Sequence, residues 1–467
     1  MVSDCPGRVS KGMRNRTKSF AVFALVVLFL IGVLEVAGRI LPIQMGFGQS
    51  ITYLRFHPVL GSEVDPNLAT LSHSNACFDI KAIAINQAGM RSSREYPLVP
   101  IKEGPRIALL GDSFIMGREV SDGEEAAAAI SRQLLEGDAL NFGVPGYGSI
   151  QQLYTYELKA RNYSPDIVVL AFLEVNDVED NSDLITAAAG WGSLRPMFDN
   201  EGELVAPDPN AWSLIMNRSS GGDLHYSLRR YSYIYFILDK LIMRVRRVAN
   251  RTWGVGAPSQ EAGIDEDYWW AKDNVLMHAG VYQSPPDPVW QQAWNDTELA
   301  IERLNQMVTK DGSKFVVMLL PSTGSSYSAS LPERYADVIG EEMPSDIDLM
   351  YPRNRLRQFT AAQGIEFLDL NDNFDRYQEI NQPLLPGFYY MCDGHFSPLG
   401  HYVTAHSLLD RLLEKGWVSE DDMANPEQYK SDDYLQVSPE ELLGPEAMDT
   451  IYNWARVYEG GSRASER

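Results

Sequence analysis

The run RIALLGDSFIMG, beginning at Arg106, is apolar until it breaks at Gly111-Asp112-Ser113. A serine hydroxyl is a poor nucleophile at neutral pH and needs an adjacent base to take its proton. His395 stands beside a carboxylate in a suitable motif, Asp393-Gly394-His395, and an unperturbed imidazole titrates in the useful range. Asp393 would then accept from the second ring nitrogen, fixing the tautomer and stabilising the imidazolium. Two more polar stretches lie between these motifs: Asn141 to Gly146 (NFGVPG) and Glu174 to Asp177 (EVND). Each of the first three blocks follows an apolar run of strand length, and the fourth precedes the last helical segment. In an open parallel sheet such positions converge on one crevice. Taken alone, Ser113 has a plain alternative as a turn serine, since Gly, Asp and Ser are ordinary turn residues.

Four blocks in this order resemble the SGNH, or GDSL-type, serine hydrolase superfamily. The match covers roughly Pro105 to Asp177 and Asn295 to Gly416. The resemblance implies a three-layer α/β/α sandwich with a mostly parallel, flavodoxin-like sheet. It also implies an oxyanion hole built from the Ser113 backbone N–H, the Gly146 backbone N–H and the Asn176 side-chain amide. Asn141 and Gly143 are expected to shape their turn, Asp112 to bond turn backbone, and Asp177 to stiffen the loop that carries Asn176. Phe114 stands where the family usually has Leu, and Glu174 where Gly is common. Asp393 and His395 are two apart, whereas three is the commoner family spacing. His401 and His406 have no adjacent carboxylate and read as packing residues. No cofactor or metal is expected.

The elements that must position these groups follow from periodicity. Ile107 to Leu110, the stretch before Asn141, the run from Lys314 and the run from Ile365 read as strands, and Asp166 to Phe172, a continuous apolar run, as a strand buried on both faces. Between them lie helical patterns: Ala127, Ile130 and Leu134 behind a Ser121-x-x-Glu124 capping box, then Leu153 and Leu158 behind Ser149, Leu299 to Val308, and Leu356 with Phe359 before Gly364. The last helix opens at Ser397-Pro398 and ends at Gly416. Strands alternating with helices mean a mostly parallel sheet covered on both sides.

With 467 residues and 45% hydrophobic composition, the chain is long enough for a large core with insertions. Its formal net charge of −23 argues against a nucleic-acid partner, which needs a basic face. A basic tail over 1–18 precedes the apolar stretch Phe20 to Gly38, read as a transmembrane signal-anchor over 19–41. The alternative there is a cleaved signal peptide. On the anchor reading the catalytic domain is periplasmic or extracellular. Residues 42–104 form an extension, 105–177 and 296–416 the two halves of the core, 178–295 an aromatic insertion, and 417–467 an acidic peripheral extension. Within the insertion a basic helix from Leu228 lies on a membrane surface, grips an acidic polymer or packs on the core. Cys77 and Cys392 form a disulfide in an exported domain or remain thiols. The expected activity is hydrolysis of a carboxylic ester, a short acyl group on a carbohydrate, through an acyl-enzyme on Ser113. Acyl transfer to exported polysaccharide and lipid or thioester hydrolysis are rivals within the same chemistry. A non-catalytic glycan- or partner-binding surface protein is the rival from another class.

Overall fold

The computed structural model describes residues 53–66, 70–73, 81–101, 104–188, 194–212, 279–285, 287–322, 345–381, 387–390 and 394–443, with a few single positions elsewhere. Contacts divide the chain into two units, Met1–Met45 with Met216–Gln260 and Gly46–Ile215 with Glu261–Arg467. Of the first unit Val26, Phe29, Leu30, Gly32, Val33 and Tyr235 are described, all helical. Most of the anchor segment and of the basic helix from Leu228 therefore lies outside the described residues, as do Cys77, Cys392 and Asp393. Among the described residues no helix is long and apolar enough to cross a membrane.

The second unit is built on a five-stranded sheet of β1 (Arg106–Gly111), β2 (Asp138–Gly143), β3 (Ile167–Leu173), β4 (Lys314–Leu320) and β5 (Glu366–Asp369). The strands lie in the order β5-β4-β3-β1-β2 and every pairing is parallel. All residues of β1, β2 and β3 are buried, and β1 after Arg106 and all of β3 run apolar without alternation, while β2 carries Asp138 and Asn141 within its buried run. Successive residues nonetheless serve opposite faces. Ile107 and Leu109 join one core with Val169 and Met318, while Ala108 and Leu110 join another with Val168 and Val317. The single-turn helix α1 (Ser113–Met116) follows β1, and α2 (Ala126–Gln133) covers the first face with α7 (Leu370–Ile380) and α8 (Pro398–Glu414). Helices α3 (Ser149–Leu158), α5 (Pro288–Lys310) and α6 (Tyr351–Gln363) cover the second, and a single turn, α4 (Glu174–Asp177), follows β3. The order reverses between β1 and β3, so the crevice expected of such a sheet opens at their C-terminal ends.

Two helix starts differ from the sequence reading. Glu124 does reach back to the Ser121 N–H at 2.6 Å, but this closes a turn, and α2 begins at Ala126 behind Glu125. The four-residue spacing satisfied the capping pattern without the backbone being helical. Helix α5 begins well before Leu299 and across the 295/296 boundary, because Asp287 accepts from the N–H groups of Val289 (2.8 Å) and Trp290 (3.0 Å) and Pro288 supplies a preset first turn. Helix α8 starts as expected, with the Ser397 hydroxyl accepting from Leu399 N at 3.2 Å.

The two flanking extensions meet the core closely. Leu54–His57 pairs antiparallel with Gly61–Val64, and Thr70–His73 with Lys81–Ala84. Tyr53, Leu60, Val64, Ile83 and Ile85 pack with Met116, Val144 and Tyr147 beside the turn that carries Ser113. The C-terminal stretch is no loose periphery where it is described. Val418, Met423, Tyr429, Tyr434 and Leu435 are buried in the same core as α8.

Candidate active site

Ser113 sits at the start of α1, directly past the C-terminal end of β1, and is 5% exposed. Asp112 caps that turn, its Oδ1 accepting from Phe114 N at 2.9 Å. The turn closes on Gly117, a left-handed cap at φ 61 whose N–H donates to the Ser113 carbonyl at 2.8 Å. Gly143 lets the turn approach β2: a Cβ there would lie 2.4 Å from Met116 N and 2.9 Å from the Asp112 carbonyl. Asn141 fastens the same contact, donating to the Ile115 carbonyl at 2.8 Å and accepting from Gly143 N at 3.0 Å.

His395 comes from a narrow loop ahead of α8. Tyr390 N donates to the His395 carbonyl at 2.8 Å and Gly394 N to the Tyr390 carbonyl at 2.7 Å, with Gly394 at φ 80. The next residue, Phe396, is 1% exposed and packs edge-on to Phe114 with ring centroids 4.8 Å apart. That buried anchor brings the imidazole to the serine: His395 Nε2 lies 2.8 Å from Ser113 Oγ. The opposite nitrogen, Nδ1, lies 3.8 Å from Oε1 of Glu119, a carboxylate 1% exposed.

The residues expected to form an oxyanion hole lie on separate segments. Gly146 is at φ 75, a conformation suited to glycine, and its carbonyl accepts from Arg195 Nε at 3.0 Å. Arg195, from the insertion, is held by Asp180 at 3.0 Å. Asn176 Nδ2 donates to Asp112 Oδ2 at 2.8 Å. A primary amide carries two such hydrogens, and this contact uses one of them. Asp177 accepts from Leu173 N (2.7 Å), Gln152 Nε2 (3.0 Å) and Ser149 Oγ (3.2 Å), tying α4 to β3 and α3.

Several carboxyls here are held toward the neutral form. Burial pushes Asp112 up to about 6, against the hydrogen bonds from Phe114 and Asn176. Burial pushes Glu174 up to about 7 although Ser322 and Tyr282 donate to it, each at 3.1 Å. Asp177 is raised well above the usual range by burial and by the neighbouring Asp112. His401 and His406 are driven down to about 3 by burial, which keeps both neutral at physiological pH. His406 packs against Tyr402 and meets the Tyr429 hydroxyl at 3.0 Å.

Of the residues singled out from the sequence, Ser113 and His395 are in hydrogen-bond contact, and Asn176 is tied to the Asp112 cap of the Ser113 turn. Asp393 lies outside the described residues. Sequence reasoning missed Glu119, Arg195 and Arg91. Glu119 sits in REVSDGEE, where one acid among several carries no distinguishing pattern. Among the described residues no group of His, Cys, Asp and Glu side chains could hold a metal ion.

Fold and site together define a doubly wound α/β protein with a serine and an imidazole paired at its topological switch point. Solved structures similar to this chain include esterases and acylhydrolases. They include an acetylxylan esterase from Geobacillus stearothermophilus, 12% identical over 69% of this chain and 99% of that one, with a TM-score of 0.32. A lipase/acylhydrolase from Enterococcus faecalis is 14% identical over 68% and 97% of the two chains, with a TM-score of 0.31. A GDSL-like lipase from Bacteroides thetaiotaomicron is 13% identical over 68% and 91%, with a TM-score of 0.29. No family model and no curated protein matches the chain.

Proposed function

We propose that the protein is a serine esterase in which Ser113 is the nucleophile and His395 the general base. The observation that carries this reading is the 2.8 Å contact between Ser113 Oγ and His395 Nε2 at the C-terminal ends of β1 and β3. In the first step Oγ bonds to the ester carbonyl carbon while its proton passes to Nε2. The carbonyl oxygen becomes an oxyanion, met by the N–H groups of Ser113 and Gly146 and the Asn176 amide. Collapse expels the alcohol, which takes the proton from the imidazolium, and leaves an acyl-enzyme. Water then repeats the sequence, with His395 accepting its proton and returning it to Ser113 as the acid departs. Asp393, two positions from His395, is the acid the resemblance assigns to orient the ring.

The substrate we favour is a short acyl group on a cell-surface or exported carbohydrate. The support is the apolar, basic-flanked N-terminal segment, read as a membrane anchor that carries the domain out of the cytoplasm, and the aromatic content of the insertion. A fluorophosphonate probe tests the activity: the wild type should label and Ser113→Ala should not. A folded wild type that resists the probe would favour the non-catalytic binding protein. p-Nitrophenyl esters of rising chain length, followed by acetylated glycans, then test the acyl group. Protease protection in intact cells and in spheroplasts tests the location, a catalytic domain protected in both counting against export.

A further inference from the structure

We infer that Glu119 is a positioning acid for His395, its carboxylate holding the ring so that Nε2 faces Ser113 and stabilising the imidazolium that forms. The inference rests on the reading of Ser113 and His395 as nucleophile and base, and adds a residue outside the four sequence blocks that suggested it.

Three observations carry it. Glu119 Oε1 faces Nδ1 of His395 at 3.8 Å, on the side of the ring away from the serine contact, and its side chain is 1% exposed. An opposite charge at that distance favours the charged form of imidazole, and burial limits the screening. The carboxylate is also fixed from behind: Arg118 Nε donates to the same Oε1 at 2.9 Å, and the Arg118 guanidinium donates to the Tyr53 hydroxyl at 2.9 Å. Finally, the backbone around Glu119 is held by a buried cation. Arg91 donates to the carbonyls of Met116 (2.9 Å), Gly117 and Val120 (2.8 Å), on both sides of residues 118 and 119. The separation from Nδ1 is an ion-pair distance, longer than a hydrogen bond, so Glu119 acts on the ring through its charge.

The other groups that bear on the ring are known. Asp112 at the head of α1 and the neutral His401 on α8 both feel the charge of His395. Asp393, two positions away in the same loop, is the acid the resemblance assigns. The experiment must therefore separate two carboxylates.

The full-length chain, labelled with ¹³C and ¹⁵N histidine, is titrated by NMR as wild type, Glu119→Gln, Asp393→Asn and the double variant. The same proteins are assayed on p-nitrophenyl acetate across pH. Glu119→Gln should lower the His395 titration by about one pH unit and carry the acidic limb of kcat/KM down with it. It should reduce kcat by about tenfold with KM unchanged, as loss of a charge that stabilises the imidazolium does. Glu119→Asp, which keeps the charge but withdraws it, should fall between the two and serves if Glu119→Gln does not fold. A His395 titration unchanged in the folded Glu119 variants overturns the inference. So does a double variant that titrates like Asp393→Asn alone. The titration needs no substrate, so a wild type that neither hydrolyses esters nor labels at Ser113 ends the esterase reading while leaving the Glu119 result interpretable.

Discussion

At the scale of single residues, the site is an arrangement of buried carboxyls around one serine and one imidazole. Asp112 has two tasks, one oxygen capping the Phe114 N–H and the other holding the Asn176 amide. Asp112→Asn keeps one acceptor and turns an N–H₂ toward another N–H₂. A hydrogen bond to a charged acceptor is worth about 1.5–3 kcal/mol, so kcat should fall about ten- to a hundredfold with little change in KM. Steady-state kinetics on a p-nitrophenyl ester checks this. Removing the amide itself in Asn176→Ala should cost about 10²–10³ in kcat if it meets the oxyanion. Glu174 offers a stability test whose sign follows from its titration. Its carboxyl sits at about 7 in the fold against an ordinary 4.5, so the folded chain holds a proton that the unfolded chain has released. That contribution is full below 4.5 and is lost as pH rises through 7. Urea denaturation should show stability falling by about 3 kcal/mol between pH 4.5 and 8 from this group, and Glu174→Gln should remove that share of the slope.

At the scale of elements, the turn that carries Ser113 depends on pieces remote from it in the chain. Arg91 lies in the N-terminal extension, yet its fully buried guanidinium holds three carbonyls just after α1 and pairs with Glu125 at 3.4 Å. Replacing it by Met leaves those carbonyls and the carboxylate without their cation. The expected loss is about 3–5 kcal/mol, read by chemical denaturation, together with slower probe labelling at Ser113. By contrast Asp287→Ala, which removes only the cap of α5, should cost about 1 kcal/mol and leave labelling unchanged. Local signals made several elements legible. The unbroken apolar runs of β1 and β3, Ser397-Pro398 before α8, and Gly364 after α6 all act within a few residues of where they are read. The Ser121-x-x-Glu124 pattern misled because its hydrogen bond satisfies a turn as readily as a helix start.

At the scale of the whole molecule, the described C-terminal residues belong to the core that α8 lines. Tyr377 donates to the Val437 carbonyl at 2.6 Å, and Tyr434 and Leu435 are fully buried. A chain ending at Gly416 should therefore expose a broad apolar face and melt without a cooperative transition, or aggregate, when followed by circular dichroism and size-exclusion chromatography. The same reasoning assigns the N-terminal extension a structural share in the site, since Tyr53 and Arg91 brace the segment that carries Glu119.

The amino-acid sequence determined the α/β alternation, the blocks around Ser113 and His395, and the apolar N-terminal segment, because strand burial, helix caps and short motifs are written in neighbouring residues. It could not yield the pairing of Glu119 with His395, of Asp112 with Asn176, or of Arg91 with the turn behind Ser113. Those contacts join side chains from separate elements, Ser113 and His395 themselves being 282 positions apart. They exist only once the parallel sheet brings the ends of β1 and β3 to one crevice and Phe396 locks the histidine loop against Phe114. Burial completes the difference: a carboxylate in solvent is one acid among many, and the fold alone decides which of them is left facing an imidazole.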